Sequence, residues 1–294
     1  MARRILKQSF SLLHIDYVKL TKKWNYTHVI SPYIRIYFID EGEGYISTAK
    51  GKTKLEKGYL YIIPSFTLCN LNCPVSLSQY FVHFFEDSPD GISIFNNCRE
   101  IIKVKAEEVD ITLFKRLLQI NPGRKINRSD NPTVYERNEF YNQSEELNTK
   151  QPDAAFLETQ AILLFLVSKF LNEEMFKYQN KNTVPSQILD CLSFIQVNLD
   201  KKIAITQLAK RANLQEDYFS RLFLKHTGER PLAYIQAKRI ERAQYLTATT
   251  NMSFSKIAEF TGFDNLPYFF RIFKKVTQLT PAQYAAQNQS LNLF

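Results

Sequence analysis

YFSRLFLKHTGERPLAY, from Tyr218 to Tyr234, returns fifty residues later as YFFRIFKKVTQLTPAQY, from Tyr268 to Tyr284. Tyr218/Tyr268, Phe219/Phe269, Arg221/Arg271, Phe223/Phe273, Lys225/Lys275, Thr227/Thr277, Pro231/Pro281 and Tyr234/Tyr284 recur at one offset. Upstream, Leu208-Ala209 matches Ile257-Ala258, and Asn213-Leu214 matches Gly262-Phe263. A short helix, a turn and a second helix make a helix-turn-helix. The small side chains of Ala209 and Ala258 let the second helix cross the first closely. Gly262 takes the left-handed turn conformation without strain, and Asn is the next best residue for it. The second copy carries one extra residue in its turn, since Leu214 to Tyr218 is four steps and Phe263 to Tyr268 is five.

The spacing assigns faces. In the second helix of unit one, Phe219, Leu222 and Phe223 face a core, which leaves Ser220, Arg221 and Lys225 outside and puts Glu216 and Asp217 at the helix start. In unit two, Phe269, Ile272 and Phe273 face the core, and Tyr268, Arg271, Lys274 and Lys275 lie outside. A DNA major groove admits one helix, and Arg pairs with guanine through two hydrogen bonds. Arg221 and Arg271 are therefore the expected base readers; Lys225, Lys274 and Lys275, further along, suit phosphate. One helical hairpin could be a structural repeat. Two matched units joined by one helix, Leu232 to Thr247 with Pro231 in its first turn, favour double-stranded DNA as partner.

Charge agrees with that partner. The 294 residues carry +9, and residues 186–294 hold 14 Lys/Arg against 8 Asp/Glu, so the smaller C-terminal part carries most of the excess. Cys69, Cys73, Cys98 and Cys191 form no CxxC pair and have no zinc-like spacing, which predicts free thiols in a reducing cytosol. The basic opening is interrupted by His14 and Asp16 and shows no cleavage site. The longest uncharged apolar run, around Ala161–Val167, is too short to span a bilayer. The expectation is a soluble cytoplasmic protein with no membrane partner.

The front half predicts strands: YIRIYFI (33–39), a tight hairpin at Gly42 and Gly44, YIST, KTKLEKG, YLYIIP (59–64) and SLSQYFVHFF (76–85). Helical spacing follows in ITLFKRLLQI, around Tyr135–Leu147 and in 156–176. The last is apolar around most of its circumference, which fits burial within the domain or a dimer contact. Polar KYQNKNTVPS (177–186) predicts a linker, and Ile188, Leu192, Ile195 and Leu199 an amphipathic helix beyond it. The expected class is α+β, with domains at 1–176 and 187–294. His14, His28, His83 and His226 make no metal-ligand pattern, and no nucleophile-base pair or phosphate-binding loop appears. That argues against an enzyme, a metal site and a cofactor. Arg35, Tyr37, Tyr80 and His83 alternate along predicted strands and are the candidates to line a ligand pocket; each also fits simple core packing.

The C-terminal residues resemble the AraC/XylS family of bacterial transcription regulators. The family pattern falls on Thr227, Gly228, Pro231, Tyr234, Ile235, Arg239, Ile240, Ala243 and Leu246, and again from Ile257 to Tyr284. The resemblance implies two recognition helices of one chain in successive major grooves. It places base-facing positions at Asp217, Ser220 and Arg221, and at Leu266, Pro267, Tyr268 and Arg271. It further implies a cupin-like N-terminal sensing barrel, a helical dimerisation segment, a homodimer, RNA polymerase as partner, and an activator controlled by a small-molecule effector such as a sugar. The alternatives are a front domain that only dimerises, and a cupin-type metalloenzyme fused to a DNA-binding domain. This chain departs from the pattern where Leu266 and Pro267 offer bases no side-chain hydrogen bond, and where Ala285 follows Tyr284. Asn265 and Pro267 instead suit a helix N-cap and first turn.

Overall fold

The computed structural model describes residues 8–87, 93–95, 99–126, 138–171 and 185–289. They form two compact units, one holding the described residues of 8–87, 99–171 and 283–289, the other those of 93–95 and 185–282.

The N-terminal unit is built on eight antiparallel strands: β1 (Ser9–Thr21), β2 (Asn25–Val29), β3 (Ile34–Thr48), β4 (Gly51–Glu56), β5 (Tyr59–Ile63), β6 (Cys69–Asn72), β7 (Ser76–Asp87) and β8 (Ile102–Lys105). The main order is β1-β7-β3-β5-β8, with β4 and β6 on the far half of β3 and β2 paired to β6. One face gathers Trp24, Tyr37, Ile39, Tyr61, Ile63, Leu71, Leu77 and Phe81 into a core. The opposite face packs on helix α1 (Glu108–Ile120), whose Phe114 ring lies 6.4 Å from Phe38 and 5.9 Å from Tyr80. β3 and β7 are buried on both faces there, which explains their nearly unbroken apolar runs.

The expected hairpin at Gly42 and Gly44 is not where the chain turns. β3 runs through both glycines and reverses at Ala49-Lys50 instead. Its register slips between Ile39 and Glu41 as the strand passes from β5 and β7 to β4 and β6. Gly42 has φ 78°, and a Cβ there would sit 2.2 Å from the Ser76 carbonyl oxygen. The glycine permits a bend and a close backbone approach within one long strand, which a sequence reads as a turn.

β1, read from sequence only as a basic opening, is a 13-residue strand. A bulge between Leu12 and His14 exposes carbonyls that β7 does not satisfy. Arg124 Nη1 donates to the Leu12 carbonyl at 2.8 Å, and Ser144 Oγ to that of Leu13 at 3.1 Å. Ser144 belongs to α2 (Asn138–Lys150), so the bulge docks this helix. Helix α3 (Asp153–Ser168) follows; positions 135–137 and 172–176 of the expected helices lie outside the described residues. One side of α3 buries Ile162, Leu163, Leu166 and Val167, while Leu157, Leu164 and Phe165 remain exposed on the other.

The second unit holds α4 (Ser186–Val197), α5 (Ile205–Arg211), α6 (Glu216–Thr227), α7 (Pro231–Thr249), α8 (Phe254–Phe260), α9 (Leu266–Thr277) and the start of α10 (Pro281–Gln289). Ser186, expected at the end of a linker, opens α4, with Pro185 at the N-cap position and no side-chain cap; positions 177–184 lie outside the described residues. The stripe Ile188, Leu192, Ile195 and Leu199 is buried against Leu208, Ala209, Phe219 and Phe223.

Candidate nucleic-acid interface

Each helix-turn-helix closes as its sequence requires. Asn213 (φ 55°) and Gly262 (φ 77°) both take the left-handed conformation. Ala209 and Ala258 are buried where the helices cross. The matching backbone bonds are Leu214 N to Ala209 O and Phe263 N to Ala258 O, each 2.9 Å. The two turns are the same device with different residues.

In α6, Phe219 and Phe223 are buried and Leu222 is half-buried, which turns Asp217, Arg221 and Lys225 out along one exposed line with half-buried Ser220 beside it. In α9, Phe269, Ile272 and Phe273 are buried, so Pro267, Arg271, Lys274 and Lys275 form the equivalent exposed line. Basic lines repeated on two matched helices are what successive grooves accept. Glu216 and Asp217 in the first turn of α6 favour the positive end of the helix dipole but repel phosphate. The start of α6 is accordingly suited to base edges rather than to the backbone.

The starts of the two recognition helices differ. Asn265 Oδ1 accepts from Tyr268 N at 2.9 Å, capping α9, with Pro267 in its first turn. Gln215, at the same place before α6, makes no side-chain cap. Tyr268 is also held from behind, since Gln236 Nε2 on α7 donates to its hydroxyl at 2.5 Å. The Arg271 guanidinium lies 5.0 Å over the Tyr268 ring, one turn along the helix. Arg271 therefore rests on a pinned aromatic face, while exposed Arg221 has no such platform among the described contacts. Gln236 carried no sequence signal, because its role depends on α7 passing behind α9.

The expected pocket residues separate by strand parity. Arg35 and His83 are register partners, as are Tyr37 and Phe81, and all four lie on the core-facing side. Tyr80 pairs with Phe38 on the opposite face, where it packs on Tyr17 and Phe114. It is three residues from His83, an odd step that reverses the face in a strand. Burial, with His14 and Arg35 beside it, holds the His83 imidazole well below its usual pKa. His14 opposite is held down to about 3 by burial and Arg124. Arg35 Nη2 donates to Cys69 Sγ at 3.4 Å. Among the described residues, no three His, Cys, Asp or Glu side chains gather to hold a metal ion, and no helix is long and apolar enough to cross a membrane.

The helix-turn-helix domain family matches residues 208–287. The HTH-type transcriptional activator Btr of Bacillus subtilis is 24% identical over 269 residues, 88% of this chain, but the chain spans only 45% of that protein's length. The transposon Tn10 TetD protein of Escherichia coli is 32% identical over 113 residues, 38% of this chain and 82% of the relative. Among solved structures, unsaturated fatty acid bound ToxT from Vibrio cholerae superposes with a TM-score of 0.53 at 13% identity, over 97% of this chain and 98% of ToxT. That likeness concerns the fold.

Proposed function

The chain belongs to the AraC/XylS family of transcription regulators, and from that premise we propose that it reads promoter DNA through both recognition helices. The observation that carries the proposal is the repetition of one outward basic line on α6 and on α9 within a single compact unit. Arg221 and Arg271 read bases; Lys225, Lys274 and Lys275 bind phosphate; Asp217, Ser220 and Tyr268 complete the base-facing surface. Asp217 accepts from a cytosine amino group. The test is selection of genomic fragments by the full chain at fixed salt. An enriched motif with two blocks about one helical turn apart is expected. Arg221→Ala should relax one position of that motif, whereas Lys275→Ala should weaken all sequences alike and lower the salt slope by about 1. Equal losses on selected and random DNA for Arg221→Ala would remove its base-reading role.

The proposal extends to the N-terminal unit as a cupin-like sensing and dimerisation domain. Arg35 supplies a fully buried cation, beside His83, His14 and the Cys69 thiol, on a face otherwise lined by aromatic and aliphatic groups. That chemistry suits a small effector with an acidic group better than a sugar, whose several hydroxyls each need a partner. Thermal stabilisation by a panel of organic acids and sugars checks this, with stabilisation by sugars alone counting against it. The exposed apolar side of α3 is assigned to a second copy of the chain. Activation through RNA polymerase follows from the family premise and is checked by transcription in vitro from the selected promoter.

A further inference from the structure

α7 is the one covalent connection between the two helix-turn-helix motifs, running from the Gly228 turn to the segment before α8. A helix joined by a turn at each end leaves two hinges. The side chain of Arg239, near the middle of α7, reaches a turn of each motif.

Arg239 Nη2 donates to the Lys201 carbonyl at 2.6 Å, in the turn that leads from α4 into α5. The same guanidinium lies 5.7 Å over the Phe263 ring, in the turn of the second motif. Gly262 fits against it so closely that a Cβ would stand 2.7 Å from Nη2 and 2.3 Å from the Leu199 carbonyl oxygen. On one side, Leu199 belongs to the core that seats Phe219 and Phe223 of α6. On the other, Phe263 packs on Phe269 and Tyr268 of α9, with centroids 5.3 and 6.1 Å away. A continuous path thus runs from one recognition helix to the other, through the Arg239 side chain and, beside it, the close approach of Gly262 to the Leu199 carbonyl. Burial lowers the pKa of Arg239 from its ordinary value, and Asp264 and Asp200 offset that only in part.

We infer that Arg239 is a positioning residue: by bracing the Lys201 turn against the Gly262-Phe263 turn, it sets the separation and angle of the two recognition helices, and so the spacing between the two DNA blocks the protein accepts. The inference rests on the two-helix reading of DNA proposed above. The planar guanidinium is needed, because one end bonds a carbonyl while its face packs on a ring; a lysine ammonium does one or the other.

The experiment uses the full chain and duplexes carrying the two blocks recovered by genomic selection, at their selected spacing and with one or two base pairs inserted between them. Each inserted pair moves the second block about 3.4 Å along and about 35° around the duplex. The unaltered protein, held at fixed geometry, should drop one block and lose about thirtyfold or more in affinity for the two-pair insertion. Arg239→Ala should bind the selected spacing less tightly and lose only about threefold on insertion. This ratio of affinities does not change with the fraction of protein that is folded, so general destabilisation cannot imitate the effect. Arg239→Lys, which keeps the charge, should behave as Arg239→Ala does, and it serves where the alanine variant fails to fold. An unchanged insertion penalty in either folded variant overturns the inference while leaving two-block reading intact. A one-block motif, or indifference of the unaltered protein to spacing, overturns the two-helix reading and the inference with it.

Discussion

Gly262 and Gly228 offer a matched pair of alanine substitutions whose difference isolates one contact. Both hold the left-handed conformation, at φ 77° and 78°. In Gly228→Ala the new methyl meets nothing within 4 Å, so its cost is the local conformational one, about 1–2 kcal/mol. In Gly262→Ala the methyl arrives 2.3 Å from a backbone carbonyl and 2.7 Å from Arg239 Nη2. The carbonyl cannot retreat without moving the end of α4, so an overpacking cost of about 1–3 kcal/mol adds to the first. The expected total is about 3 kcal/mol, a large share of a domain stability of about 5–15 kcal/mol. Native-state hydrogen exchange of α8 and α9 amides measures the change in the C-terminal unit directly. Protection there should fall clearly further in Gly262→Ala than in Gly228→Ala. Equal losses would refute the close approach and the packing of Arg239 that depends on it.

Gln236→Met should leave overall affinity and the salt slope nearly unchanged while weakening base discrimination at the position read by Arg271, because Tyr268 loses the donor that fixes it; competition between selected and single-mismatch duplexes measures this. Acid should destabilise the N-terminal unit. His14 and His83 are held neutral when folded, so their contribution is complete above the unfolded value near 6.5 and is lost as pH falls toward about 3 for His14. At pH 5 the loss is about 2 kcal/mol for His14, and His83 adds to it in the same direction. Urea midpoints followed by Trp24 fluorescence should fall from pH 7 to 5, and His14→Gln should flatten that slope; a flat profile for the unaltered chain would count against buried neutral imidazoles. Leu164→Glu on the exposed side of α3 should convert a dimer to a monomer by sedimentation without loss of helix, and an unchanged mass would exclude that face as the contact.

The second unit was legible in the sequence because its determinants are local. A helix period of 3.6 fixes which of Phe219, Arg221, Phe223 and Lys225 point in or out, and a left-handed turn position admits few residues, so Asn213 and Gly262 announce themselves. The repeat doubled each signal. Along the N-terminal strands the same arithmetic worked only in part: parity alone separates Tyr80 from His83, yet the glycines at 42 and 44 read as a turn until the β7 backbone is seen pressing against Gly42. β1 escaped notice because its partner, β7, lies more than fifty residues away along the chain. Which residue braces which was settled only in three dimensions. Arg239 was visible only as one position of the family pattern, and Gln236 was not visible at all. Sequence determines the period and the local conformation, which depend on near neighbours. Tertiary structure decides hydrogen bonds and packing between elements far apart in the chain, since a contact such as Arg239 to Lys201 exists only once both turns have been brought together.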